Sequence, residues 1–207
     1  MKYIASVFAA VLAACSAPVV QAENHCGVGA QIDLLTDDYL PPGYIGVERR
    51  DVSLDGETAE WVRYQPAAMP QTVLGGAHFS TLTTAAGCLK GFAWIAPQLV
   101  GGVLPDKEHA QAVADDFLRR HAPDLAAHRE VHWIDEHHEP LSISGKRMRI
   151  TGMKVKMRNP ADGRWFWVIV GHHGRAMVFE RDIVWISFPG HRQTEKWLHD
   201  EWLAARL

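Results

Sequence analysis

Pro160-Ala161-Asp162-Gly163-Arg164-Trp165-Phe166-Trp167-Val168-Ile169-Val170-Gly171-His172-His173-Gly174 sets a run of aromatic and β-branched residues between two turns. Pro, Asp and Gly in the first cluster, and paired Gly in the second, are residues that turns select. Trp165 to Val170 carries no charge and is apolar on both faces, as the central strand of a sheet must be. The stretch therefore reads as one antiparallel strand, over 164–170, flanked by hairpin turns.

Working outward, further strands are expected over 130–136, 147–158 and 175–188. Before them, Asp106 can cap a helix in which Ala110, Val113, Ala114, Phe117 and Leu118 recur on one face. Pro123 disfavours helical geometry at Ala122 and ends it. After them, Thr194 is the expected cap of a last helix carrying Trp197, Leu198, Trp202 and Ala205. The fold class is α+β: an antiparallel meander with an N-terminal and a C-terminal helix packed on one face.

The chain changes character near Gly101-Gly102 and Pro105. Upstream, turn residues are dense, with strand-like runs at Tyr44 to Arg50 and Thr58 to Tyr64 around a bend at Asp55-Gly56. Thr81 to Lys90 is ambiguous. A loop-rich β segment over 23–104 preceding an α+β region over 105–207 is the expected organisation, and the sequence has no internal repeats.

Residues 1–22 read as an export signal. Lys2 supplies a basic start, Tyr3 to Ala14 is uncharged and shorter than the roughly 20 residues a spanning helix needs, and small residues follow. Val20-Gln21-Ala22 suits cleavage before Glu23. Leu12-Ala13-Ala14-Cys15 resembles the bacterial lipobox, a resemblance that implies acylation of Cys15 as the first mature residue. Either route places the mature protein in the periplasm or cell envelope, touching membrane only through an anchor at Cys15. Of the three cysteines, Cys26 and Cys88 then remain, and an oxidising compartment favours a disulfide between them. Closing that loop restricts the unfolded chain by roughly 4 kcal/mol on the loop-entropy account.

A formal charge of −3 argues against a general nucleic-acid binder. The chain has no GxSxG elbow, P-loop or GxGxxG motif. Three sets of residues remain as functional candidates. If 132–138 is extended, His132, Glu136 and His138 share a face, and His172 sits in a turn that could complete a zinc or copper shell. Trp165 and Trp167 share a strand face, where tryptophans either join the core or stack on sugar rings or a partner. Lys146, Arg147, Arg149, Lys154, Lys156 and Arg158 form a basic stretch that could meet lipid phosphates or an acidic partner, or could guard an edge strand. The expected function is a non-catalytic partner-binding or accessory role beside another envelope protein. A periplasmic metal-binding protein using residues 132–138 is the alternative, and a hydrolase of envelope polymers the third reading.

Overall fold

Asp55 and Gly56 both adopt positive φ, 49° and 85°, the two-residue turn whose twist matches that of the strands it joins. The chain on either side zips into β1 (Tyr44–Leu54) and β2 (Glu57–Pro66), with Leu54 opposite Glu57. β3 (His78–Thr84) and β4 (Leu89–Ile95) continue the meander, turning at Gly87. A second meander follows: β5 (Glu130–Ile143), β6 (Lys146–Arg158), β7 (Trp165–Val170) and β8 (Ala176–Ile183). The computed structural model that displays this describes residues 31–69, 73–143, 146–186, 190–198 and 200–205.

Each meander is preceded by a helix. α1 (Gln31–Tyr39) leads into β1, and α2 (Lys107–His121), continued by the short α3 (Pro123–Ala127), leads into β5. The eight strands form one sheet in the order β1-β2-β3-β4-β8-β7-β6-β5. One plan, helix then four strands, therefore occurs twice, although no repeat is visible in the residues. The halves meet where β4 pairs with β8 through Gly91, Phe92 and Ala93 opposite Glu180, Phe179 and Val178.

The α+β class and the antiparallel meander of the second half stand as expected. Asp106 caps α2, its carboxylate accepting from the His109 backbone N–H at 2.8 Å. Ala110, Ala114, Phe117 and Leu118 are buried. Residues 44–95, by contrast, are not loop-rich. Their turn residues mark hairpin ends, and the aromatic and β-branched runs between them form long strands. The expected boundary near residue 104 falls in the link between halves that share a sheet.

The expected placement of the helices also needs correction. α1 and α2 pack on one face, where Tyr39, Phe117, Phe92 and Phe179 meet at ring-centroid distances of 5.0 to 5.6 Å. The C-terminal helix packs on the other. Strand alternation turns Gly91 away from Phe92, and a Cβ at Gly91 would collide with the Trp197 ring. Among the described residues the helix there is Asp200–Ala204 (α4) and residues 194–198 are not helical, so Thr194 is not its cap. Trp197, Trp202 and Leu203 instead cover Leu54, Ala59, Trp61 and Leu82 of the first half.

Buried polar side chains anchor this C-terminal strap. Arg63 in β2, 1% exposed as a side chain, forms a two-pronged pair with Asp200, which also accepts from the Gly75 backbone N–H. Gln65 clamps the neighbouring loop through Val73 N–H, Val73 C=O and Ala77 C=O. Cys88 is buried immediately before β4, whereas Cys15, Cys26 and the expected export signal lie outside the described residues.

Candidate functional site

The strap leaves the two halves unequal. It covers the outer face of β1–β3 with apolar contacts, while the corresponding face of β5–β8 carries tryptophans and cations. Cross-strand register places Trp133 beside Lys156 and Lys156 beside Trp167. Trp165 follows the same alternation, so the expectation that Trp165 and Trp167 share a face agrees with the register. Trp185, in the short β9 (Trp185–Ile186), joins them. β9 pairs with β10 (His191–Arg192).

Lys156 Nζ lies 4.3 Å from the Trp165 ring centroid, 5.4 Å from Trp185 and 5.6 Å from Trp133. Lys154 Nζ sits 3.6 Å above Trp167. Cation–π attraction holds each ammonium on its ring, by roughly 0.5–2 kcal/mol per contact. Neither lysine has a carboxylate within ion-pair distance among the described residues. Burial pushes Lys154 down to about 8, against the more distant charges of Glu180 and Glu139, and burial also lowers Lys156. Trp133 and Trp185 keep 38% and 45% of their surface exposed.

The basic stretch is thus neither a uniform strip nor an edge guard. β6 lies inside the sheet, and the edge is β5. Alternation assigns Lys154, Lys156 and Arg158 to the tryptophan face and sends Arg147 and Arg149 the other way. Sequence spacing held this signal, because Lys154 and Lys156 pair in register with a strand containing two tryptophans. It could not show that the strap would cover the first half and that Trp133 and Trp185 would stay exposed on the second.

The expected metal ligands do not assemble. A bulge between Val131 and Trp133 inserts an extra residue into β5. Period-two alternation therefore breaks at His132, whose ring lies 4.9 Å from that of Trp165 on the tryptophan face. Glu136 and His138 occupy the other face, where His138 Nδ1 is 3.0 Å from Thr151 Oγ1. His172 stacks on His173 in the β7–β8 turn, against the loop at Gly102. Among the described residues no three His, Cys, Asp or Glu side chains gather as a metal group.

A cleft of about 480 Å³ opens nearby, at the end of the sheet between the halves. Lys90, Arg181 and Arg192 line it, and each is matched by an acid. Lys90 bridges Glu57 at 2.9 Å and Asp182 at 2.8 Å, Arg181 holds Asp124, and Arg192 holds Glu180. Asp182 itself adopts a left-handed φ of 63°, an uncommon conformation for a side chain larger than glycine. These pairs tie β2, β4, β8 and the strap together. The sequence offered no local signal for them because each joins residues distant along the chain.

The geometry defines an α+β protein built on one eight-stranded antiparallel sheet, with the strap over one half-face and, on the other, exposed Trp133 and Trp185 beside Lys156. Compared with known proteins, the chain matches no family model, no curated protein and no solved structure.

Proposed function

We propose that this is an exported cell-envelope protein that acts by binding, through the tryptophan–lysine face of its second half. The observation that carries the reading is Lys156 held among three indole rings, without an acidic partner at contact distance, beside two exposed tryptophans. Tryptophan is enriched at binding hot spots because one ring buries a large area with little entropy to lose. An unmatched cation on such a surface calls for an acidic group from outside, whether on another envelope protein or on another envelope component. The proposed compartment rests on the leader at 1–22, with the mature chain starting at Cys15 or Glu23 and Cys26 bonded to Cys88.

Two measurements test this reading. Intact mass of the periplasmic and membrane fractions is expected to give a chain starting at Glu23, or an acylated chain starting at Cys15. A cytoplasmic chain retaining Met1 would remove the compartment. Envelope material retained by the wild-type protein should be lost on Trp133→Ala/Trp185→Ala, with unchanged circular dichroism. Equal retention by both proteins rules out this face as the binding surface.

A further inference from the structure

Resting on that binding reading, we infer that the tryptophan–lysine face takes an acidic saccharide, its sugar rings on Trp133 and Trp185 and its anionic group on Lys156. Three features select this chemistry. First, Trp133, Trp165 and Trp185 surround a single ammonium, each centroid within 5.6 Å of Nζ. Flat rings around one charge suit a ligand whose apolar ring faces sit beside an anionic substituent.

Second, the ammonium is already partly desolvated and its neighbours are rings rather than carboxylates. An arriving carboxylate or phosphate does not have to displace an existing ion pair, in contrast to the neighbouring cleft, where Lys90 and Arg192 are already engaged. Third, the flank of the face disfavours an acidic polypeptide. β5 is the free edge at which a partner strand would add. That edge carries Glu130, Asp135, Glu136 and Glu139, together with Pro140, which has no N–H to donate. Pro140 and the acids on both faces of that edge disfavour an added acidic strand, whereas a saccharide seated on the rings does not need to pair with the edge. On the tryptophan side the Asp135 and Glu139 carboxylates can accept hydrogen bonds from hydroxyl groups, and His137 Nε2 lies 3.0 Å from Glu139 Oε1. The mixture of flat rings, one unmatched cation and small polar groups fits a polyhydroxylated anion.

The test uses the exported mature protein and follows tryptophan fluorescence and titration heat. The probes are an oligogalacturonate, its methyl-esterified neutral counterpart, a phosphorylated oligosaccharide and polyglutamate of matched charge. Binding of at least one acidic saccharide is expected, weakened at least tenfold in its neutral form and at least tenfold by Lys156→Gln. Trp133→Ala and Trp185→Ala should each weaken it severalfold with the fold intact. Preference between the two acidic saccharides assigns the anion as carboxylate or phosphate. Polyglutamate binding as tightly as the saccharides overturns the saccharide assignment while leaving the binding face in place. Failure of both acidic saccharides to bind, or equal binding of the neutral one, also overturns it.

Discussion

Lys154 reaches diagonally across the sheet to Trp167: its register partner on β7 is Ile169, yet its ammonium rests 3.6 Å from the Trp167 centroid. Only 9% of Lys154 is exposed. The contact holds a charge over the sheet at a desolvation cost, and that cost has a pH signature.

Burial depresses Lys154 to about 8 from 10.5, so the folded protein loses this proton more readily than the unfolded chain. Between those values the unfolded state binds more protons, and stability rises with pH across that window. Below it the penalty is fully present. Lys154→Met is expected to stabilise the protein at pH 7, by roughly 1–3 kcal/mol if the methionine packs on Trp167. Urea midpoints at pH 7 and pH 10 check this, and the gain should shrink at the higher pH.

Acid should loosen the strap. Burial, reinforced by Arg63, lowers His78 to about 4. From pH 6.5 down to about 4 the unfolded histidine takes a proton that the folded one refuses, so stability falls with pH, by up to roughly 3 kcal/mol. Burial raises the Asp200 carboxyl, but the Arg63 hydrogen bond and neighbouring positive charges outweigh it and hold it below the usual range. Its contribution is present above the ordinary carboxylate pKa and disappears as pH falls through the folded value. His78→Asn should flatten the upper part of this curve, as measured by thermal melts between pH 4 and 7.

Gly91 is required by what lies over it. A Cβ there would strike both the Trp197 ring and the Phe179 carbonyl oxygen. Gly91→Ala is expected to cost roughly 1–3 kcal/mol through overpacking. Trp197→Ala leaves a cavity and should cost roughly 3–5 kcal/mol. Coupling between them in a double-mutant cycle is the diagnostic, because Trp197→Ala should remove the indole part of the Gly91→Ala cost and leave the part due to the Phe179 carbonyl.

The buried Arg192–Glu180 pair, with side chains 6% and 3% exposed, should respond asymmetrically. Arg192→Met alone takes the guanidinium from a buried carboxylate and is expected to cost up to roughly 3–5 kcal/mol. Adding Glu180→Gln to Arg192→Met should recover part of that loss, as read from denaturant melts.

The second half was legible in the residues because its signals are local. Asp106 and Pro123 bracket α2, and Pro160–Gly163 and Gly171–Gly174 bracket β7. The first half reads as a loop-rich β segment because its glycines and prolines outnumber those of the second half; its strand-like runs at 44–50 and 58–64 lie in β1 and β2, and the strand content beyond them is what the turn residues conceal. α1 has no counterpart in that reading, its Ile32, Leu35 and Tyr39 spacing being short and lying near the expected export signal. The side of the sheet taken by the C-terminal helix is set by Gly91, whose missing side chain signals nothing until Trp197 is seen above it. At the candidate site, the shared face of Trp165 and Trp167 followed from alternation alone. His132 stands apart from Glu136 and His138 because of one inserted residue, and alternation has no means of foreseeing a bulge.

The β4–β8 seam also has a kinetic meaning. Within each half every strand pairs with its neighbour in sequence, so those contacts close short loops. The seam joins residues far apart along the chain, and its loop-closure entropy is compensated only once both meanders exist. Folding is therefore expected to proceed from two independently collapsing hairpin stacks to a late docking step. Pulse-labelled hydrogen exchange should find amides of β2–β3 and β6–β7 protected before those of Gly91 to Ala93. An open seam would leave two extra strand edges exposed in the meantime, which makes β4 and β8 the place where another chain could capture a half-folded one.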